Sequence, residues 1–106
     1  MKPMTPNELL GAISLSQDND ARIVFDVFTS FGSYIQKKDF KDIEEVLGRV
    51  DPTKVSSHIS LTILTATHVC KDKLRNRDSF HEKTSKHFAE IFKEDKSCLP
   101  LLEKLK

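Results

Sequence analysis

Residues 20–36 read DARIVFDVFTSFGSYIQ, and this stretch decides the fold. Ile23, Val24, Val27, Phe28, Phe31, Tyr34 and Ile35 fall at i, i+1, i+4, i+5, i+8, i+11 and i+12, an apolar stripe with the 3.6-residue period of an α-helix. A helix is expected from about Asp20 to Gln36. Phe25 stands outside the stripe, beside Arg22, Asp26 and Thr29. It either packs against the preceding helix, the preferred expectation, or marks a partner surface, because exposed aromatics are common interface anchors.

The neighbouring segments carry helical signals of their own. Upstream, Thr5-Pro6-Asn7-Glu8 is a capping box with Pro at the first helical position, so a short helix burying Leu9, Leu10 and Ile13 is expected before the polar run Ser14 to Asp20. Downstream, Lys37-Lys38-Asp39 interrupts the pattern, and Phe40, Ile43, Val46, Leu47 and Val50 restart it, with Lys41, Asp42, Glu44, Glu45 and Arg49 on the wet side. Asp51-Pro52 ends that helix and, with Asp51 as cap, opens the fourth. Residues 57–65 are ambiguous, since Ile59, Leu61 and Ile63 alternate as in a strand. Val55, Ile59, Ile63, Ala66, Val69 and Cys70 keep helical spacing over the longer stretch, and an isolated pair of strands is marginal, so helix is preferred.

Lys71 to Asp78 reads as a polar connector, after which Ser79-Phe80-His81-Glu82 forms a second capping box. Phe80, Thr84, His87, Phe88, Ile91 and Phe92 supply the face of the fifth helix, and a short sixth helix after Ser97 turns Leu101, Leu102 and Leu105 inward. The expected fold is all-α: a compact antiparallel bundle of five to six short helices in one domain spanning residues 1–106. A 41-residue shift superposes Phe28 on Val69, Leu47 on Phe88 and Val50 on Ile91, which is compatible with two stacked helical hairpins. The core is expected to hold Ile23, Val27, Phe28, Phe31, Phe40, Ile43, Leu47, Ile59, Ile63, Val69, Phe80, Phe88, Ile91 and Phe92.

The composition bounds the function. At 106 residues, 31% charged and 38% apolar, the chain lies within the globular range. Two Cys separated by 27 residues make neither a disulfide framework nor an all-Cys zinc site, and residues 1–15 lack the apolar run of a secretory signal, so a cytoplasmic location is expected. Val55 to Cys70 contains no Asp, Glu, Lys or Arg over sixteen residues, but half of it is Ser, Thr or His, so no membrane span is expected. Only Gly11, Gly32 and Gly48 are present, which removes Gly-rich phosphate loops. The adjacent carboxylates Asp18 with Asp20, Glu44 with Glu45, and Glu94 with Asp95 fall on wet positions unsuited to acid–base work.

His58, His68, His81 and His87 lie within thirty residues, but at spacings of ten and six that do not put two imidazoles on one helical face. A metal site from His68 and His87 with Cys70 or Glu90 is the alternative to the preferred expectation of no metal and no cofactor. Cys70 is expected as a small buried hydrophobe, and Cys98, beside Lys96 at a helix start, as a structural rather than a reactive thiol. Charge is divided unevenly, at −3 over residues 1–53 and +4 over 54–106. The densest cationic group is Lys71, Lys73, Arg75 and Arg77, followed by Lys83 and Lys86. The expectation is a small non-enzymatic helical module for protein interaction or regulation, with another protein as partner. A nucleic-acid accessory role through those six cations is the alternative.

Overall fold

A computed structural model of the chain describes residues 4–15 and 21–106. Among the described residues six α-helices follow one another: α1 Pro6–Leu15, α2 Ala21–Gln36, α3 Phe40–Arg49, α4 Ser57–Thr67, α5 Arg77–Ile91 and α6 Cys98–Lys104, with a 3₁₀ segment His68–Lys73 between α4 and α5. No strand occurs among the described residues, so the protein is an all-helical bundle. The expected start of the second helix at Asp20, and the Asp18 and Asp20 pair, lie outside the described residues.

The first capping box forms as expected. Thr5 N–H donates to Glu8 Oε1 at 2.9 Å and Glu8 N–H donates to Thr5 Oγ1 at 3.2 Å. The helix runs on through Ser14 and Leu15, where a polar run was expected, and buries Leu9 and Ile13. Between α2 and α3 the chain reverses in three residues. Lys38 takes a left-handed φ of 61°, and the N–H groups of Lys38 and Asp39 reach back to the carbonyls of Ile35 and Tyr34.

The start of α4 is a correction. Asp51 does not cap it: its Oδ1 accepts from Thr53 N–H at 2.9 Å and from Thr53 Oγ1 at 2.7 Å, closing a separate turn. The helix begins five residues later, where Ser56 Oγ accepts from Ile59 N–H at 3.4 Å. Ser57 to Thr65 is helix, and its threonines explain how a β-branched segment stays helical. Thr62, Thr65 and Thr67 each donate the hydroxyl to the carbonyl four residues back, at 2.6–2.7 Å, so their Oγ groups are satisfied within the helix.

The start of α5 is corrected in the other direction. It opens at Arg77, two residues before Ser79, and the two backbone amides just ahead of it are bound from another helix. The Glu44 carboxylate on α3 accepts from Arg75 N–H and, at 3.0 Å, from Asn76 N–H, while Asn76 Nδ2 donates to the Glu44 carbonyl at 3.2 Å. A carboxylate from a distant element thus anchors the residues leading into α5, and its negative charge suits the positive end of the helix.

Two hairpins, α2–α3 and α4–α5, stack so that α2 lies on α4 and α3 on α5, with α1 covering α2 and α3, and α6 lying on α5. The helices α1, α3 and α5 form one layer and α2 and α4 the other, which accounts for the shortest dimension of 19 Å. The contact of α2 with α4 is the most extensive in the molecule. One core cluster joins the layers through Val27, Phe31 and Tyr34 of α2, Ile59, Ile63 and Leu64 of α4, and Leu9, Ile43, Leu47, Phe80 and Phe88 of the opposite layer.

Four members of the expected core do not belong to it. Phe28 is 54% exposed, Val69 79% and Ile91 48%, and Phe92 is also on the surface. Leu101 is exposed too, although Leu102 and Leu105 are buried as expected.

Candidate functional site

Successive residues of a helix are turned by about 100°. Measured from Val27, the buried positions Ser30, Phe31 and Tyr34 stay within about 60° of it. Phe28 is displaced by about 100° and Phe25 by about 160°, so neither can reach the same core. The apolar residues of α2 therefore cover more than half its circumference, and the packing of the two layers consumes only part of that sector.

The remainder meets α4. Ala21, Val24, Phe25 and Phe28 on α2 face Leu61, Thr62 and Thr65 on α4 across an open groove of about 490 Å³. The groove continues past Val24 and Leu61 to His58. Phe25 is 56% exposed on its rim rather than buried against a neighbouring helix. The hydroxyls of Thr62 and Thr65 are held by carbonyls of α4 itself. This wall of the groove comes from the sixteen-residue stretch without Asp, Glu, Lys or Arg. The signal was present in the sequence as the breadth of the α2 apolar sector beside an uncharged α4.

The six cations are not equivalent. Arg77 is a correction: it is 1% exposed and cannot meet a ligand. Its Nε donates to Thr67 Oγ1 at 2.9 Å, and its Nη2 donates to the carbonyls of Leu64 at 2.8 Å and Leu105 at 2.5 Å. The guanidinium thus ties the ends of α4 and α6 together, where helix dipoles favour a positive charge. Burial pushes its pKa below the ordinary arginine range, against the opposing pull of Asp78 and Cys70. Lys71 Nζ donates to the Lys106 carbonyl at 3.0 Å, and Lys86 pairs with Glu82 at 3.4 Å. Lys73, Arg75 and Lys83 are exposed.

The histidines are scattered. His58 is exposed on the groove rim and His87 is half-buried. His81, expected outside the α5 face, is buried, with Nε2 donating to the Leu102 carbonyl at 2.7 Å. His68 is half-buried, with Nδ1 shielded and without a hydrogen-bond partner. Among the described residues, no three His, Cys, Asp or Glu side chains converge as a metal-binding set.

Both cysteines are free thiols. Cys70 is buried, which raises its pKa against the opposing effect of Arg77. Cys98 is half-buried at the edge of a separate cleft with Phe88, Phe92, Lys93 and Lys96. Among the described residues, no helix is long and apolar enough to cross a membrane. No protein-family model matches the chain, and no curated protein or solved structure matches it.

Proposed function

We propose that this protein is a small helical interaction module, non-enzymatic and cytoplasmic, whose docking face is the groove between α2 and α4. The observation that carries this reading is the pair of half-exposed phenylalanines, Phe25 and Phe28, standing beside an uncharged apolar groove. Depletion of charge at the centre of a patch, together with aromatic enrichment, is the compositional mark of a protein interface. The uncharged wall of α4 stands out further in a chain that is 31% charged. Two free thiols suit the reducing cytoplasm.

Nucleic-acid binding is less well supported. With Arg77 buried and Lys86 paired with Glu82, two of the six cations are withdrawn from the basic group.

A photo-crosslinking residue at position 28, compared with one at the exposed Glu90 on α5, tests the docking face in extracts of the native host. A discrete adduct at 28 that is absent at 90, and lost on adding Phe25→Glu, is expected. Equal labelling at both positions would remove the face from consideration, and a stoichiometric metal in the purified protein would overturn the metal-free, non-enzymatic part of the reading.

A further inference from the structure

We infer that α6 is a detachable strap: it undocks from α5 as one unit while the helices before it stay folded, and it occupies in cis a strip of α5 that receives the C-terminal end of a helix. The strip uses none of the residues that line the α2–α4 groove.

The first observation is how little of α6 supports itself. It has seven residues, Ser97 places no side-chain cap on its start, and an isolated helix shorter than about 12 residues is marginal in water. Its order therefore comes from docking. Leu102 and Leu105 are buried, but Leu99 and Leu101 are exposed. The first turn stands off α5 across a cleft of about 360 Å³, with Phe88 and Phe92 on one side and Cys98 and Leu99 on the other.

The second is how the helix is held. It runs antiparallel to α5, so its last turn reaches the start of that helix. His81 Nε2 donates to the Leu102 carbonyl at 2.7 Å, Arg77 Nη2 to the Leu105 carbonyl at 2.5 Å, and Lys71 Nζ to the Lys106 carbonyl at 3.0 Å. Carbonyls at a helix end are the ones that run out of intrahelical donors. Arg77 and His81 lie one turn apart on α5 and meet Leu102 and Leu105, one turn apart on α6. Among the described residues no carboxylate forms an ion pair with the buried Arg77, so helix-end carbonyls of α4 and α6 carry the compensation of its charge. The strip is thus matched to a helix C-terminus with two leucines three residues apart.

The third is what remains when α6 leaves. Arg77 keeps Thr67 Oγ1 and the Leu64 carbonyl, both on α4, so the guanidinium stays in place. The connector Phe92 to Ser97 is exposed throughout, so its rearrangement uncovers no core.

Native-state hydrogen exchange of the full chain tests the inference. Amides of Leu102 to Leu105 are expected to share one opening equilibrium with a weak urea dependence, and to exchange at least about 100-fold faster than the slowest amides of α2 and α4. Exchange of α6 together with the core, or protection that falls residue by residue toward Lys106 as in fraying, would overturn the strap. Leu102→Glu should abolish the protection of α6 and leave the amide resonances of α1 to α4 in place, whereas wholesale unfolding of that variant would make α6 part of the core and overturn it equally. A blocked peptide of residues 97–106 is then added to the Leu102→Glu chain at on the order of 1 mM, the effective concentration that a short connector supplies in cis. Shifts at Arg77, His81 and Phe88 are expected, and their absence would reject the strip as a receptor for helix ends.

Discussion

Replacing Arg77 by Met keeps an unbranched apolar stem in the same space and deletes the guanidinium, so the loss can be worked from its three contacts. Thr67 Oγ1 remains engaged after the change, because it still donates to the Ile63 carbonyl at 2.7 Å. The carbonyls of Leu64 and Leu105 lose their buried donor. A buried acceptor left without a partner costs about 1–3 kcal/mol, and relief of the desolvated charge returns part of that sum, for a net loss of about 2–4 kcal/mol. For a chain of this length the melting temperature should fall by roughly 10–20 °C. Arg75→Met, two residues away with an exposed side chain, should change stability by under about 0.5 kcal/mol. Urea titration of the two variants beside the parent measures the difference directly. A loss below 1 kcal/mol for Arg77→Met, or equal losses for both, would refute the assignment of Arg77 as the tie between α4 and α6. Hydrogen exchange adds a spatial check, since amides of α6 should exchange faster in Arg77→Met before those of α2 do.

Three further outcomes follow from the packing. The single tyrosine, Tyr34, is buried with its hydroxyl donated to the Met4 carbonyl, and burial followed by the nearby Asp42 and Glu8 carboxylates pushes its pKa up to about 12. Because the folded value lies above the unfolded one near 10, its contribution to stability is intact below pH 10 and lost between pH 10 and 12. Tyrosinate absorbance should titrate near 12 in buffer and near 10 in denaturant, and a native midpoint at 10 would contradict the burial. Glu44→Ala should cost about 1–2 kcal/mol by releasing the Arg75 and Asn76 amides that lead into α5, while Ser79→Ala, inside the first turn, should cost under about 0.5 kcal/mol; the reverse order in urea titration would restore the local capping box. Phe88→Ala should cost about 3–5 kcal/mol, and the half-exposed Phe28→Ala under about 1.5 kcal/mol, in place of the equal losses expected if both were core; equal measured losses would place Phe28 inside after all.

Local sequence signals determined the helical class, a count of five to six helices, the first capping box and much of the core, because a 3.6-residue apolar repeat and a Thr-x-x-Glu start are local properties that survive in almost any packing. What they could not determine was which part of a broad apolar sector is used. Phe28 and Val27 are neighbours in the same stripe, yet a rotation of about 100° leaves one on the surface and the other fully buried. The same limit applies to polar groups: Arg75 and Arg77 alternate identically along the chain, and Glu44 reads as a wet-side carboxylate. Only the approach of α4, α5 and α6 turned Arg77 into a buried tie, and only the approach of α3 bound Glu44 to the amides leading into α5. Whether a charge is solvated or enclosed depends on partners far away in sequence, and that is decided when the layers close.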